Sequence, residues 1–367
     1  MRPGTVAIHS GSVGADATGA TAVPLYQSVS YAYRRAEDLA EVFRGAAPGY
    51  IYTRIANPTT AALETRLAEL EGGIGCIATS SGMAAIASVV MGLVKAGDEI
   101  VAAAGIFGGT VSLFEKILGR FGVTTTLVDA SDTAGFAAAV TKGTRLIFVE
   151  TIGNPRMDVP DIRAIAAVAH RAGVPLVVDS TVTTPILVRP GEFGADIVVP
   201  VSYTHLTLPT NFINGYGTAI GGAIIDTGNY DWSAGPFRDI AELSGTVRQM
   251  AFLVHLRNLI YRDLGGCAAP MNSFLMLQGM ETLSARMSRH CANAARLAQF
   301  LSSHSEVAWV RYPGLEDSPH RDLVAAQFGG LGGGLLTFSL GSGARAFRFI
   351  NALKLALSLI HISEPTR

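Results

Sequence analysis

The chain has 367 residues, of which 49% are apolar and 16% charged, with a formal net charge of −1. That length and apolar content imply a large buried core, two domains rather than one, and exclude a disordered chain. The near-neutral balance, with no Lys/Arg run, argues against nucleic acid or an anionic membrane as main partner and leaves small molecules and other subunits.

The opening stretch, MRPGTVAIHSGSVGADATGA, lacks the basic-then-apolar layout of a signal peptide, and no apolar run reaches membrane-spanning length. A cytoplasmic protein is expected. Three cysteines, Cys76, Cys267 and Cys291, lie far apart and match no metal-ligand spacing, so buried free thiols are expected and no metal site. YIYTR (50–54) falls in a segment too irregular to join a sheet, where Arg54 alone would be a solvated charge.

From about residue 57 to 225, short apolar runs alternate with helical patterns, the signature of a mostly parallel sheet sandwiched by helices. The runs are GCIAT (75–79), DEIVAAA (98–104), TTTLVDA (124–130), TRLIFVE (144–150), PLVVDS (175–180), DIVVPV (196–201) and GGAIID (221–226). Their near-continuous apolarity suits strands buried on both faces. In NPTTAALETRLAELEGG, Asn57 reads as an N-cap, Pro58 as the first helical residue and Gly72 as the stop, with Ala62, Leu63, Leu67 and Leu70 on one face. PDIRAIAAVAHRAG (160–173) repeats the pattern from Pro160 to Gly173. The alternation stops around Trp232 to Leu264, and residues 271–304 read as one long or two short amphipathic helices, which sets a domain boundary near 245.

Three features carry possible chemistry, each with an ordinary structural alternative. ATSSGMAAI enters a helix near Met83 through a small-residue turn, which offers free N–H groups and a positive dipole end to an anion, or is simply strand-to-helix chemistry. VVDST places Asp179 at the carboxyl end of a buried strand, the edge where open α/β sheets bind ligands, although an acid there also serves as a helix cap. Asn154, in ETIGNP, sits at the same edge in what is also a common Asn-Pro turn. No GxGxxG with a following acid and no GxxxxGK[ST] occurs, which leaves a nicotinamide or nucleoside-triphosphate site unsupported. His290 reads as a helix-surface or interface residue.

Taken in order, GSVGADATGATAVPLYQSVSY, YTRIANPTTAALETRLAELEGG, ATSSGMAAI, FVETIGNP, PLVVDST, FINGYGTAIGGAIIDTGNYDW and FLMLQGMETLSARMSRH resemble the Cys/Met-metabolism family of pyridoxal-phosphate (PLP) enzymes, nearest its O-acetylhomoserine sulfhydrylase branch. The resemblance implies a fold-type I transferase: an arm (1–56) reaching a neighbouring subunit's site, a large PLP-binding domain (57–245) and a smaller C-terminal α+β domain (246–367), here truncated. It implies a homo-oligomer, a dimer sharing active sites and by family a tetramer, acting on an amino acid. Tyr52 and Arg54 match the pair that reaches the neighbour's cofactor phosphate. Ser81, Gly82 and Met83 match the phosphate-binding turn. Asp179 matches the acid paired with the pyridine nitrogen, Asn154 the partner of the ring hydroxyl, with Thr181 beside Asp179. Phe107 stands at the ring-stacking position, where many relatives carry tyrosine; it keeps the stacking and lacks a phenol proton.

One position departs from the family. A Ser/Thr-rich tetrapeptide ending in the cofactor-linking lysine is expected directly before FINGYG, and the chain has Thr210 followed by Asn211. An amide nitrogen is neither nucleophile nor general base, so catalysis is expected to be lost. None of Lys95, Lys116, Lys142 and Lys354 is an evident substitute. VSYTHLTLPT (201–210) is longer than the family's segment, and LSLIHISEPTR (357–367) breaks off its pattern. CTGTCTCTTATACACATCT translates as LSLIHI in one frame and as VSYTHL from its third base, so both segments resemble translated transposase-type sequencing adapter. The expectation is that adapter has overwritten the lysine tetrapeptide and cut off the C-terminus, with the family's substrate-carboxylate arginine. The alternative is a natural insertion in a degenerate homologue. Re-amplification from source DNA decides: adapter origin predicts an amplicon without VSYTHLTLPTN.

For the parent protein the resemblance implies γ-replacement on O-acetylhomoserine by sulfide or a thiol, giving homocysteine or methionine. Methionine γ-lyase and cystathionine γ-synthase are alternatives within the class, and a non-catalytic PLP-binding scaffold is the alternative outside it.

Overall fold

The computed structural model describes residues 2–11, 19–202 and 212–353. Every apolar run named above forms a strand. They are β1 Gly75–Thr79, β2 Glu99–Ala103, β3 Thr124–Val128, β4 Thr144–Glu150, β5 Leu176–Asp179, β6 Ile197–Val199, a short β7 Val201–Ser202, and β8 Gly221–Asp226. They hydrogen-bond in the order β1-β8-β6-β5-β4-β2-β3, with β7 also on β8. The ladders among β2, β3, β4, β5 and β6 are parallel, and β8 runs antiparallel to β1 and β6.

Leu146, Ile147, Phe148 and Val149 of β4 are all fully buried. Successive strand residues point to opposite faces, so burial of all four requires cover on both sides of the sheet. Each such side chain contributes about 1.5–3 kcal/mol relative to exposure. That burial explains why the sequence could not alternate polar and apolar here.

The helix Pro58–Glu71 starts as its sequence requires: the Asn57 side chain accepts the Thr59 N–H at 2.9 Å, and Gly72 ends it at φ 74. Leu63, Leu67 and Leu70 are buried, while Ala62 is half-buried at the margin of the same face. The later helix spans Ile162–Arg171 and is capped by Asp161, whose carboxylate accepts the Ala164 N–H at 3.0 Å. Pro160 therefore lies outside the helix rather than opening it, because the Asp161 side chain satisfies an orphan N–H that proline leaves open. Residues 271–304 form two helices, Pro270–Glu281 and Leu283–Ser302, parted at Thr282. A separate antiparallel pair, β9 Trp309–Arg311 and β10 Thr337–Ser339, follows. Cys76 and Cys291 are buried free thiols as expected; Cys267 is only half-buried, since it sits in the exposed turn that bridges to Thr79.

Candidate active site

Because β1 and β6 both pair antiparallel with β8, β1 points the same way as the parallel strands. The carboxyl ends of β1, β6, β5, β4 and β2 therefore share one edge of the sheet. That edge receives the Ser81–Met83 turn after β1, Asp179 and Thr181 at the end of β5, Asn154 after β4 and Phe107 after β2. Lys95 and Lys142 precede β2 and β4 at the opposite edge, and Lys116 lies in the helical turns Leu113–Ile117.

The turn at Ser81 is built by close approach. The helix Gly82–Leu93 is capped by Ser81, whose hydroxyl accepts the Ala84 N–H at 3.1 Å. Behind it the Ser80 N–H donates to the Gly266 carbonyl at 2.8 Å, and Thr79 Oγ1 donates to the Ser81 carbonyl at 2.8 Å. Gly222 of β8 packs against this turn so tightly that a Cβ there would lie 2.5 Å from the Ser81 oxygen and 2.7 Å from Gly82 Cα. The early amides of the helix keep no intrahelical acceptor, and the dipole makes that end favourable for an anion.

Asp179 is almost fully buried at the end of β5 and accepts from the Thr181 N–H at 2.9 Å and from the Thr181 hydroxyl. In the β4–β5 ladder it stands opposite Glu150. The Glu150 carboxylate accepts the Phe107 N–H at 2.8 Å through Oε1 and the Asn154 N–H at 3.3 Å through Oε2. The two loops it joins also touch directly, since a Cβ on Gly153 would lie 2.8 Å from the Gly105 carbonyl oxygen. Burial, and then the neighbouring Asp179 charge, hold the Glu150 carboxyl well above the usual carboxylate range.

Tyr52 and Arg54, expected to reach a neighbouring subunit's site, lie away from this edge. Tyr52 and Arg54 are exposed on the arm, with the Arg54 guanidinium 5.3 Å from the Tyr52 ring centroid and bonded to the Arg262 carbonyl. Their turn is tied to β1 by a half-buried ion pair: Arg257 donates to the Ile55 carbonyl at 2.9 Å and to both Glu64 oxygens, and Glu64 accepts the Ala78 N–H at 2.9 Å. Thr210 and Asn211 lie outside the described residues, as do 354–367 with Lys354 and the unusual C-terminal segment. The flanks are firmly held: β7 pairs Val201 with Gly222, and Arg286 donates to the Phe212 carbonyl. His290 lies on an exposed helix position with its ring 5.3 Å from that of Phe212.

Sequence reasoning missed Glu150 and Gly222. The signal for Glu150 was present, a carboxylate closing an otherwise apolar strand at the ligand-binding edge; nothing in GGAIID singles out Gly222 without knowledge of which turn faces it. Free helix amides at one point of the edge and a buried acid at another suit a ligand with a phosphate and a cationic ring nitrogen, because a buried carboxylate is stabilised by a charged partner. These groups at the carboxyl edge of a mostly parallel sheet agree with the fold-type I pyridoxal-phosphate class that the sequence resembles.

The chain belongs to the family of Cys/Met metabolism PLP-dependent enzymes, whose model matches residues 4–362. It is 42% identical over 373 residues to a homocysteine synthase of Schizosaccharomyces pombe, covering 98% of this chain and 85% of that protein. It is 38% identical over 383 residues to an O-acetyl-L-homoserine sulfhydrylase of Leptospira meyeri, covering 99% and 85%. Among solved structures, a putative O-acetylhomoserine (thiol)-lyase of Campylobacter jejuni, which carries N'-pyridoxyl-lysine-5'-monophosphate, matches with a TM-score of 0.88 and 30% identity over 97% of this chain and 90% of that one. The O-acetylhomoserine sulfhydrylase of Wolinella succinogenes matches with a TM-score of 0.74 and 39% identity over 83% and 86%.

Proposed function

We propose that the parent of this chain is a PLP-dependent enzyme that replaces the acetyl group of O-acetylhomoserine with sulfide or a thiol, giving acetate and homocysteine or a methionine-type product. The observation that carries the reading is the assembly of the Ser81–Met83 turn, Asp179, Asn154 and Phe107 along one sheet edge, in a chain similar to sulfhydrylases over almost its whole length. When bound, PLP supplies an electron sink for negative charge at the substrate α-carbon. The amides of Gly82 and Met83 would bind its phosphate, Asp179 would pair with the ring nitrogen, Asn154 with the ring hydroxyl, and Phe107 would lie against the ring. A lysine at position 211 moves the substrate's protons; Asn211 does not.

As written, the chain is therefore a PLP-binding protein without turnover, and Asn211 favours that second reading for it. A cofactor absorbance band that survives dialysis and disappears on borohydride reduction contradicts it. The Asn211→Lys form is expected to make homocysteine from O-acetylhomoserine and sulfide. Strong methionine cleavage with no homocysteine reverses the choice in favour of a lyase.

The arm supports a homo-oligomer. Its helix Ala36–Phe43 buries no residue, and Val29 and Phe43 are each 64% exposed. In our reading a second copy covers them and receives Tyr52 and Arg54 at its phosphate site. No helix among the described residues is long and apolar enough to cross a membrane, and we place the enzyme in the cytoplasm with its amino-acid substrate.

A further inference from the structure

We propose that Glu150 is a positioning residue that sets the ring side of the cofactor site, by fastening the ring-stacking loop to the ring-hydroxyl loop through one carboxylate. The inference rests on the PLP reading of the sheet edge and adds a residue that reading does not include. Glu150 ends β4, and its backbone is placed by the ladder to β5, where it pairs with Asp179. Each carboxylate oxygen takes the backbone N–H of a residue at the ring: Oε1 that of Phe107 at 2.8 Å, Oε2 that of Asn154 at 3.3 Å. Two backbone N–H groups bonded to the two oxygens of one buried side chain fix the spacing of the loops that carry them.

The residue is 6% exposed and stands beside Asp179 in the ladder, a costly place for a second acid. Gly105 and Gly153 make room for the Asp158 carboxylate, which lies against both loops without a hydrogen-bond partner among the described residues, so it is Glu150 that hydrogen-bonds Phe107 and Asn154 at a fixed spacing. The Glu150 bonds go to Phe107 and Asn154, whereas those of Ser80 and Ser81 in the phosphate turn go to Gly266, Ala84 and Thr79. The assignment therefore separates the ring half of the site from the phosphate half.

Equilibrium dialysis of the whole chain against PLP, and against inorganic phosphate, tests this. Glu150→Ala is expected to weaken PLP about tenfold while phosphate binding stays unchanged, because only the ring contacts lose their spacing. Glu150→Gln, which keeps an acceptor for Phe107 and turns an amide N–H toward Asn154, is expected to fall between the two. Equal loss of PLP and phosphate in Glu150→Ala assigns Glu150 to the scaffold and overturns the proposal, as does unchanged PLP affinity. If the unaltered chain binds no PLP, the reading of the edge itself falls, and the Glu150 assignment with it.

Discussion

The carboxyl edge of the sheet and the arm of residues 19–56 are opposites in how their order is obtained. Around the edge, Glu150, Asp179 and Gly82 are buried and held by strand ladders and close backbone contacts, so the geometry exists before any ligand arrives. No residue of 19–56 is buried; its turn is held chiefly by backbone bonds, the Arg257–Ile55 contact and Arg54 on Arg262. Tyr26, Val29, Phe43 and Tyr52 present apolar surface to solvent. In the proposed site the edge supplies a preformed half, and the exposed arm is the part that a second copy would have to order.

The sharpest way to break that contrast is to spoil the preformed half. Gly222→Ala forces a Cβ against the backbone of Ser81 and Gly82, which cannot yield as a flexible side chain would. Chemical denaturation should show a loss of about 3 kcal/mol, and the residual folded protein should bind neither PLP nor phosphate. Retained phosphate binding shows that the turn is less rigid than described.

Next in size is a buried acid beneath the same edge. Glu71 is bonded to the Ser180 hydroxyl at 3.1 Å, its Oε2 has no hydrogen-bond partner among the described residues, and burial pushes its carboxyl from the ordinary 4.5 up to about 8. A raised acid holds its proton more tightly when folded, so this contribution to stability is complete below about pH 4.5 and is lost as pH rises through 8. Glu71→Gln should leave stability at pH 5 nearly unchanged and raise it by on the order of a few kcal/mol at pH 8. Parallel curves for the two proteins sink the prediction.

A smaller effect belongs to the join between the two regions. Asn57 caps the helix Pro58–Glu71 and also donates to the Tyr26 carbonyl and the Tyr31 hydroxyl, each at 2.8 Å. Asn57→Ala should cost about 1–2 kcal/mol in denaturation midpoint analysis. Smallest in stability is the arm itself: Val29→Ser and Phe43→Ser should shift unfolding by less than about 0.5 kcal/mol yet move the sedimentation profile toward monomer. An unchanged profile removes the arm from the interface.

What the sequence disclosed follows the same division. Strands such as TRLIFVE and GGAIID were legible to the residue because burial on both faces leaves an uninterrupted apolar run with polar ends. Pro160 misled because a proline signal was read without the capping capacity of Asp161 beside it. Asp179 and Asn154 were legible as edge residues from their place after strands, whereas their chemical roles came only from resemblance. Glu150 and Gly222 depend on what faces them across the fold, and no local pattern carries that. Tyr52 and Arg54 are exposed on the arm, and nothing local in the sequence says what they meet. Position 211 sits where the family pattern fails, between flanks that are well anchored at Gly222 and Phe212.

The most direct test of the central claim is a crystal structure of this chain grown with PLP. The account predicts the phosphate on the Gly82 and Met83 amides, the ring nitrogen within hydrogen-bond distance of Asp179, the ring hydroxyl on Asn154 and the Phe107 ring stacked on the pyridine. A structure in which these groups open into separate cavities, or in which PLP lies away from the carboxyl edge, contradicts it.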